Sequence, residues 1–341
     1  MVEKLNSFRN EMAKSEEYPL VAIVGPTASG KSALGLFLAE RLNGEIVNYD
    51  SVQVYRGFDI GSGKVPAYER RAVPHHLLDI LEPGEVFTAG DYRRHGHRVL
   101  AEVRDRGNLP VLVGGTGLYL RALLLGLFEG PPRSEALRVR LRAIAERRGR
   151  EFLHRLLERQ DPAAARRIGP RDTQKAIRAL EVCLLSRQPF SALLKRGRAG
   201  LRGFRIFKVG PNPDRAELCR RIDRRVEQMY AAGLVEETRA LLSRAAGRPA
   251  GIKPLGALGY RDAWAVLRGE ISLGEAVSKT QAATRQYAKR QMTWFRREAS
   301  VTWFAGFGDD PQVQHQVFEW LQSVGSVGTS VQKRDNFAWS V

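Results

Sequence analysis

The segment Gly25-Pro26-Thr27-Ala28-Ser29-Gly30-Lys31-Ser32 constrains this chain more than any other. It matches G-x-x-x-x-G-K-[ST], a turn whose glycines let successive backbone N–H groups converge on one anion. Lys31 adds a cation, and Ser32 adds a hydroxyl able to hold a Mg²⁺ that bridges phosphate oxygens. Such a turn belongs between a buried strand and a helix, and both flanks comply. Leu20–Val24 is an unbroken apolar run, and Leu34, Phe37, Leu38 and Leu42 recur at helical spacing. An incidental glycine turn would require neither flank. The helix then starts near Lys31 and presents its positive dipole end to the bound anion. The segment predicts a phosphate site on an α/β sheet. Taken alone, its default cargo is ATP.

The following segments extend the sheet. Glu45–Ser51 is a short apolar run ending in an acid, Asp50, as a strand delivering a carboxylate to its carboxyl end would read. In open α/β sheets the ligand crevice lies at those ends, so Asp50 and the P-loop should face one crevice. Gly57–Pro74 reads as a loop or flap. Thr88-Ala89-Gly90-Asp91 is a capping-box pattern opening a helix that stops at Gly107. Pro110–Val113 is a further buried strand, running into the turn Gly114-Gly115-Thr116. Strand, helix and strand in this order predict a parallel sheet with crossover helices.

The character changes at Gly130-Pro131-Pro132. Residues 131–200 carry 18 Lys or Arg against 7 Asp or Glu, a net of 18 − 7 = +11, out of +18 for the whole chain. Two Arg-rich helical patterns, Ser134–Gln160 and Thr173–Ser186, fill this stretch. A solvated basic surface is the plain alternative, but so local an excess points to a phosphate backbone. Phe204–Val209 alternates like a strand returning to the sheet. Asp214–Tyr230, Leu234–Arg244 and Leu273–Arg297 read as helices, Val301–Phe304 as a late strand, and Gln312–Leu321 as a closing helix. The organisation expected is a polar lead-in at 1–18, an α/β core at 19–130 and 201–322, a basic helical insertion at 131–200, and a disordered tail at 323–341.

Cys183 and Cys219 are far apart on helical patterns and read as buried thiols of a reducing compartment. Met1–Tyr18 lacks an apolar core, and no apolar run reaches membrane-spanning length. A cytoplasmic protein with no membrane association is expected, and a monomer. His75 and His76 are adjacent, lack a third ligand at sensible spacing, and read as loop-ordering. Trp264, Trp294 and Trp303 fall on apolar faces.

For Asp50 three roles stay open: a Mg²⁺ ligand, a general base, or a strand-end cap. Polar Asn48 and aromatic Tyr49 interrupt the long apolar run that a Walker-B acid needs. Thr116 either serves the crevice with its hydroxyl or simply makes the turn. Of Arg220, Arg221, Arg224 and Arg225, one pointing inward would clamp a diphosphate bidentately.

The ordered set of segments resembles the bacterial tRNA dimethylallyltransferases (tRNA isopentenyl transferases) from about Pro19 to Phe304. Beyond Gly25–Ser32, the resemblance is carried by Asp50-Ser51-Val52-Gln53-Val54-Tyr55, Asp59-Ile60-Gly61-Ser62-Gly63-Lys64 and His75-His76-Leu77-Leu78-Asp79. It continues through Gly114-Gly115-Thr116-Gly117-Leu118-Tyr119, Asp172–Arg178, Gly259-Tyr260-Arg261 and Thr284–Gln291. It implies a P-loop NTPase-like parallel sheet core with an inserted all-helical domain. It also implies transfer of a dimethylallyl group from dimethylallyl diphosphate to N6 of the adenine 3′-adjacent to the tRNA anticodon. By the same resemblance Asp50, Thr116 and Arg225 are catalytic, and Gly25–Ser32 with Mg²⁺ hold the diphosphate. The tRNA anticodon stem-loop would be met by Asp50, Ser51, Val52, Gln53, Thr116, Arg138, Gln174, Lys175, Ala176, Ile177 and Arg178, and by Gly256, Ala257, Leu258, Gly259, Tyr260 and Arg261. Rivals on the same core are a nucleotide kinase, an adenylate isopentenyltransferase, and a nucleic-acid-binding protein without catalysis.

Overall fold

Six parallel strands form one sheet: β1 (Tyr18–Ile23), β2 (Gly44–Asn48), β3 (His75–His76), β4 (Leu109–Val113), β5 (Phe204–Asn212) and β6 (Val301–Ala305), in the order β3-β2-β4-β1-β5-β6. The computed structural model describes residues 17–195, 199–244 and 252–326. β1, β2 and β4 are buried on both faces, β1 and β4 with near-continuous apolar sequences, while β5 is buried only in part and carries Arg205 and Lys208. Alternation along β1 sorts the two faces. Val21 and Ile23 pack with Leu34 and Leu38 of α1 (Lys31–Leu42) and with Val317 of a late helix, Pro311–Ser326. Leu20 and Ala22 pack with Tyr92 and Leu100 of α2 (Ala89–Asp105) and with Leu120 and Leu123 of α3 (Gly117–Leu125). The parallel α/β sheet expected from strand–helix alternation is the one observed.

The chain divides into two compact units. One runs to Leu124 and resumes at Leu201; the other is Leu125–Gly200. The second contains α4 (Glu135–Arg148), α5 (Arg150–Gln160), α6 (Pro162–Arg167), α7 (Thr173–Ser186) and α8 (Phe190–Lys195). The single pattern read over Ser134–Gln160 is two helices, because Gly149 breaks it at φ 83°. Asp161 caps α6 through the Ala164 N–H, and Pro162 occupies its first turn, where no amide donor is needed. Leu141, Leu153, Leu157, Ile168 and Leu180 make the core of this unit.

In the first unit, β5 is followed by α9 (Arg215–Ala231), α10 (Leu234–Arg244), α11 (Tyr260–Leu267) and α12 (Leu273–Phe295). They share a core in which Val226, Leu234 and Tyr260 pack with Val54 and Phe58 of the segment after β2. Capping boxes open α2 at Thr88/Asp91 and α12 at Ser272/Glu275. The last helix, α13 (Pro311–Ser326), corrects the tail: residues 323–326 continue it, and the Val324 carbonyl accepts from Arg205 at 3.1 Å. Residues 327–341, and 1–16 of the lead-in, lie outside the described residues. Tyr18 already belongs to β1. Cys183 is buried, but Cys219 is only half-buried. Among the described residues no helix is long and apolar enough to cross a membrane.

Candidate active site

At the carboxyl ends of β1, β2 and β4 lies a cavity of about 1860 Å³. Thr27–Ser32, Asp50–Gln53, Gly61–Lys64, Gly114-Gly115, the inner face of α9 and residues 256–259 line it. The P-loop is held open by left-handed backbone at Ala28 (φ 62°) and Gly30 (φ 85°). Gly30 admits no side chain: a Cβ there would lie 2.4 Å from Asp309 Oδ1. The loop is fixed from three directions. Ser29 Oγ donates to the Pro26 carbonyl at 2.8 Å, the Gly308 N–H donates to the Ser29 carbonyl at 2.8 Å, and the Thr27 N–H donates to Gln291 Oε1 at 2.7 Å.

Lys31 is the first residue of α1 and is buried, with Nζ 2.5 Å from the Pro26 carbonyl. Burial and the Arg225 charge, against a smaller opposing pull from Asp50, bring its pKa down to about 7. The ammonium therefore sits in a site built for a negative ligand. Ser32 beside it is exposed to the cavity.

Asp50 follows β2 on the other side of the cavity. Its Oδ1 accepts from the Val52 N–H at 2.9 Å and the Gln53 N–H at 3.4 Å. Asn48 supports the same turn, accepting from the Asp50 N–H at 3.0 Å and donating to the Leu77 carbonyl at 2.9 Å. Burial raises the Asp50 pKa, opposed by those two amides and by Lys31 and Arg225. Oδ2 lies toward Gly115, where an added Cβ would stand 3.1 Å away. Asn48 and Tyr49, which interrupt the apolar run, thus have work of their own: Tyr49 is fully buried and donates to the Ile23 carbonyl at 2.6 Å.

The four clustered arginines of α9, Arg220, Arg221, Arg224 and Arg225, separate cleanly. Arg220 is exposed beside Glu217, and Arg224 is exposed. Arg221 is bound bidentately by Asp309 at 2.8 and 2.6 Å and lies over the Phe307 ring. Arg225 points inward, donates to the Gly63 carbonyl at 3.4 Å, and couples to Asp50 and Lys31. Burial, then Arg221, lower its pKa. Thr116 stands at the β4–α3 turn. Its Oγ1 accepts from the Ser51 N–H at 3.0 Å and bonds the Ser51 hydroxyl at 3.1 Å, tying the Gly114–Thr116 turn to the Asp50 segment.

Two residues on α12 complete the cavity and were not singled out by the motifs. Gln291 is buried, and while accepting from Thr27 it donates to the Gly115 carbonyl at 2.9 Å. It thereby joins the P-loop to the Gly115 turn. Tyr287 reaches the same carbonyl at 3.4 Å, and burial raises its pKa. Both belong to Thr284–Gln291, so the segment was visible but the roles were not.

The expected RNA-contact residues are dispersed. Gly256, Ala257, Leu258 and Arg261 border the cavity, whereas Tyr260 is fully buried and donates to Glu237 at 2.6 Å. In the helical unit, Gln174 and Lys175 are exposed, while Ala176 and Ile177 are buried in its core. Their side chains present no surface to a partner, because the apolar stripe of α7 has to face α5. Arg138 and Arg178 both bind the fully buried Glu181, Arg138 at 2.8 Å through two nitrogens and Arg178 at 2.5 Å. These guanidiniums depress the Glu181 pKa to about 2 against the cost of burial. His75 and His76 bond the Val73 carbonyl and the Glu45 carboxylate at 2.8 and 2.5 Å. Trp294 and Trp303 pack against the core, with Arg121 over the Trp294 ring.

Comparison with known proteins places this chain in a family. The family model described as "IPP transferase" matches residues 53–298. The tRNA dimethylallyltransferase of Koribacter versatilis is 52% identical over 304 residues, covering 89% of this chain and 98% of that protein. The tRNA dimethylallyltransferase of Solibacter usitatus is 52% identical over 301 residues, covering 88% and 97%. Among solved structures, the tRNA isopentenylpyrophosphate transferase of Bacillus halodurans aligns with a TM-score of 0.62 at 38% identity, covering 90% of this chain and 98% of its own. A eukaryotic dimethylallyltransferase acting on tRNA aligns with a TM-score of 0.71 at 24% identity, over 86% of this chain and 75% of its own, which shows a shared fold.

Proposed function

The chain belongs to the IPP transferase family and is an enzyme of tRNA prenylation, and we propose that it transfers a dimethylallyl group from dimethylallyl diphosphate to N6 of the adenine 3′-adjacent to the anticodon. The observation that carries the chemistry is the placing of a half-buried carboxylate, Asp50, in the same cavity as a phosphate loop, a buried lysine and an inward arginine.

An exocyclic adenine amine is a weak nucleophile because its lone pair is delocalised into the ring. As the N6–C1 bond forms, the C1–O bond breaks, its electron pair leaves with the diphosphate, and one N6 proton passes to Asp50. Burial makes Asp50 a stronger base than an exposed carboxylate, and its two amide bonds fix its direction. This reading selects the general base from the three roles open in the sequence. Charge gathering on the leaving diphosphate is met by the P-loop amides, Lys31 and Arg225. The opposed Lys31–Arg225 pair is self-repelling until an anion arrives, so the donor both neutralises and orders it. Thr116 and Gln291 hold the two walls of the cavity at their spacing. A nucleotide-phosphate loop thus serves as the grip on a leaving group.

Mg²⁺ fits the donor set. A hydroxyl exposed to the cavity at Ser32 is the kind of single protein ligand this ion takes when substrate phosphates supply most of its shell. Bound there, it would neutralise diphosphate charge.

The target base is stacked in an RNA loop, so it has to leave the stack to reach Asp50, at a cost of about a few kcal/mol. Exposed cations of the helical unit, Lys175 among them, and Arg261 at the cavity border are the groups we assign to the RNA backbone. A cytoplasmic monomer is part of the same proposal. The test is incubation with labelled dimethylallyl diphosphate, Mg²⁺, and either unmodified tRNA or AMP. Label in tRNA alone is expected. Label in AMP alone makes this an adenylate enzyme, and label in neither overturns the reading.

A further inference from the structure

Glu237, on α10, accepts an unusual set of hydrogen bonds. Its two carboxylate oxygens receive the backbone N–H groups of Asp59 (3.2 Å), Ile60 (2.9 and 3.1 Å) and Gly61 (3.3 Å), and the Tyr260 hydroxyl at 2.6 Å. Three consecutive amides converging on one carboxylate form the anion nest that loops use for ligands, here filled by a side chain from elsewhere in the chain. The amides belong to the flap after β2, whose next two residues are functional neighbours. The Ser62 carbonyl accepts from Gln53 Nε2 at 3.1 Å, and the Gly63 carbonyl accepts from Arg225. Gly63 is pressed so closely on Arg225 that an added Cβ would lie 1.7 Å from its Nη2. Tyr260, the fourth donor, stands beside the cavity border at Gly259 and packs on Phe58 at 4.8 Å between ring centroids.

We propose that Glu237 is a positioning residue for the diphosphate grip. It does not line the cavity. It holds the turn Asp59–Gly61, so that the following two carbonyls meet Gln53 beside the base and Arg225 beside the leaving group. An uncharged residue that merely filled space would not need four donors, and a surface carboxylate would take its bonds from water. The negative charge also balances three converging amide dipoles at a turn that is only partly buried, and binds them in place of water. The proposal rests on the reading of Arg225 as a diphosphate ligand.

Glu237→Gln puts an NH₂ group where one acceptor stood, opposite backbone N–H groups that it cannot serve. The flap then loses its anchor and Arg225 its carbonyl partner. Expected are a KM for dimethylallyl diphosphate and a Kd for inorganic diphosphate that both rise about tenfold, with kcat at saturating donor within about threefold. Glu237→Asp, which keeps both oxygens at shorter reach, should recover part of the affinity. Amide exchange at Ile60 and Gly61 should quicken in Glu237→Gln. Should Glu237→Gln not fold, the same measurements on Glu237→Asp decide, with an intermediate loss of affinity expected. Unchanged donor KM and diphosphate affinity in a folded variant, or a loss confined to kcat, would overturn the assignment. Diphosphate binding is measured without RNA. A wild-type protein that labels no tRNA, yet weakens for diphosphate on this substitution, would refute the RNA reading and leave Glu237's role standing.

Discussion

Lys31 offers a quantitative test of how the cavity is charged. Its pKa of about 7 in the free protein comes from burial and from Arg225, and the negative charge of a bound diphosphate offsets both by supplying the missing counter-charge. The charged form is lost as pH rises through 7 in the free protein and is kept in the complex, so binding takes up a proton on the alkaline side. At pH 8 about nine-tenths of the free lysine is neutral. Affinity for inorganic diphosphate should therefore fall about tenfold relative to pH 6, roughly 1.4 kcal/mol, through this group alone. Calorimetry in buffers of different ionisation enthalpy reads the proton count directly. The ligand's own ionisation is removed by comparison with Lys31→Arg, whose charge persists at every pH used. The wild type should take up about 0.9 proton more than Lys31→Arg at pH 8 and about 0.1 more at pH 6. Equal proton counts for the two proteins would refute the claim that Lys31 is held near its titration point.

Gly63→Ala should displace Arg225, since its Cβ would lie 1.7 Å from the guanidinium, and should weaken inorganic diphosphate by about tenfold or more in a binding titration. In the helical unit, Glu181→Ala removes the acceptor shared by Arg138 and Arg178. It should cost about 3 to 5 kcal/mol in denaturant unfolding. The ionised Glu181 contributes stability that is present above its ordinary pKa of 4.5 and lost as pH falls toward 2, which acid unfolding of wild type and variant would compare. Affinity for unmodified tRNA should drop by about tenfold or more between 50 and 200 mM salt, measured by filter binding, and a flat response would contradict an RNA-backbone role for the basic residues.

The sequence exposed what is encoded locally. A P-loop is one continuous turn with its strand and helix attached, and Asp50 announces itself as an acid at a strand end. Gln291 was not visible in the same way. It is one polar residue in a long basic helix, and its importance arises from Thr27 and Gly115, which are 264 and 176 residues distant in the chain. Helical spacing likewise could not separate Arg221 from Arg225. The distinction depends on Asp309, 88 residues further on, which occupies one and leaves the other facing the cavity. Charge counting in the insertion marked a basic segment correctly but not its free cations, because Glu181 takes up Arg138 and Arg178 inside the unit. Ala176, Ile177 and Tyr260 show the same limit: motif membership does not distinguish a surface residue from one the core requires.

The central claim is that Asp50 takes the proton from the acceptor amine. Asp50→Asn keeps an oxygen to accept from Val52 and Gln53, so it removes the base with little change to the turn. The decisive measurement is the single-turnover rate of dimethylallyl transfer to unmodified tRNA, with donor and tRNA saturating, for wild type and Asp50→Asn. The account predicts a rate lowered by about 10² to 10⁴, with tRNA affinity retained, and a wild-type rate that falls on the acid side as the raised Asp50 pKa is crossed. A variant that transfers the group at the wild-type rate would contradict it.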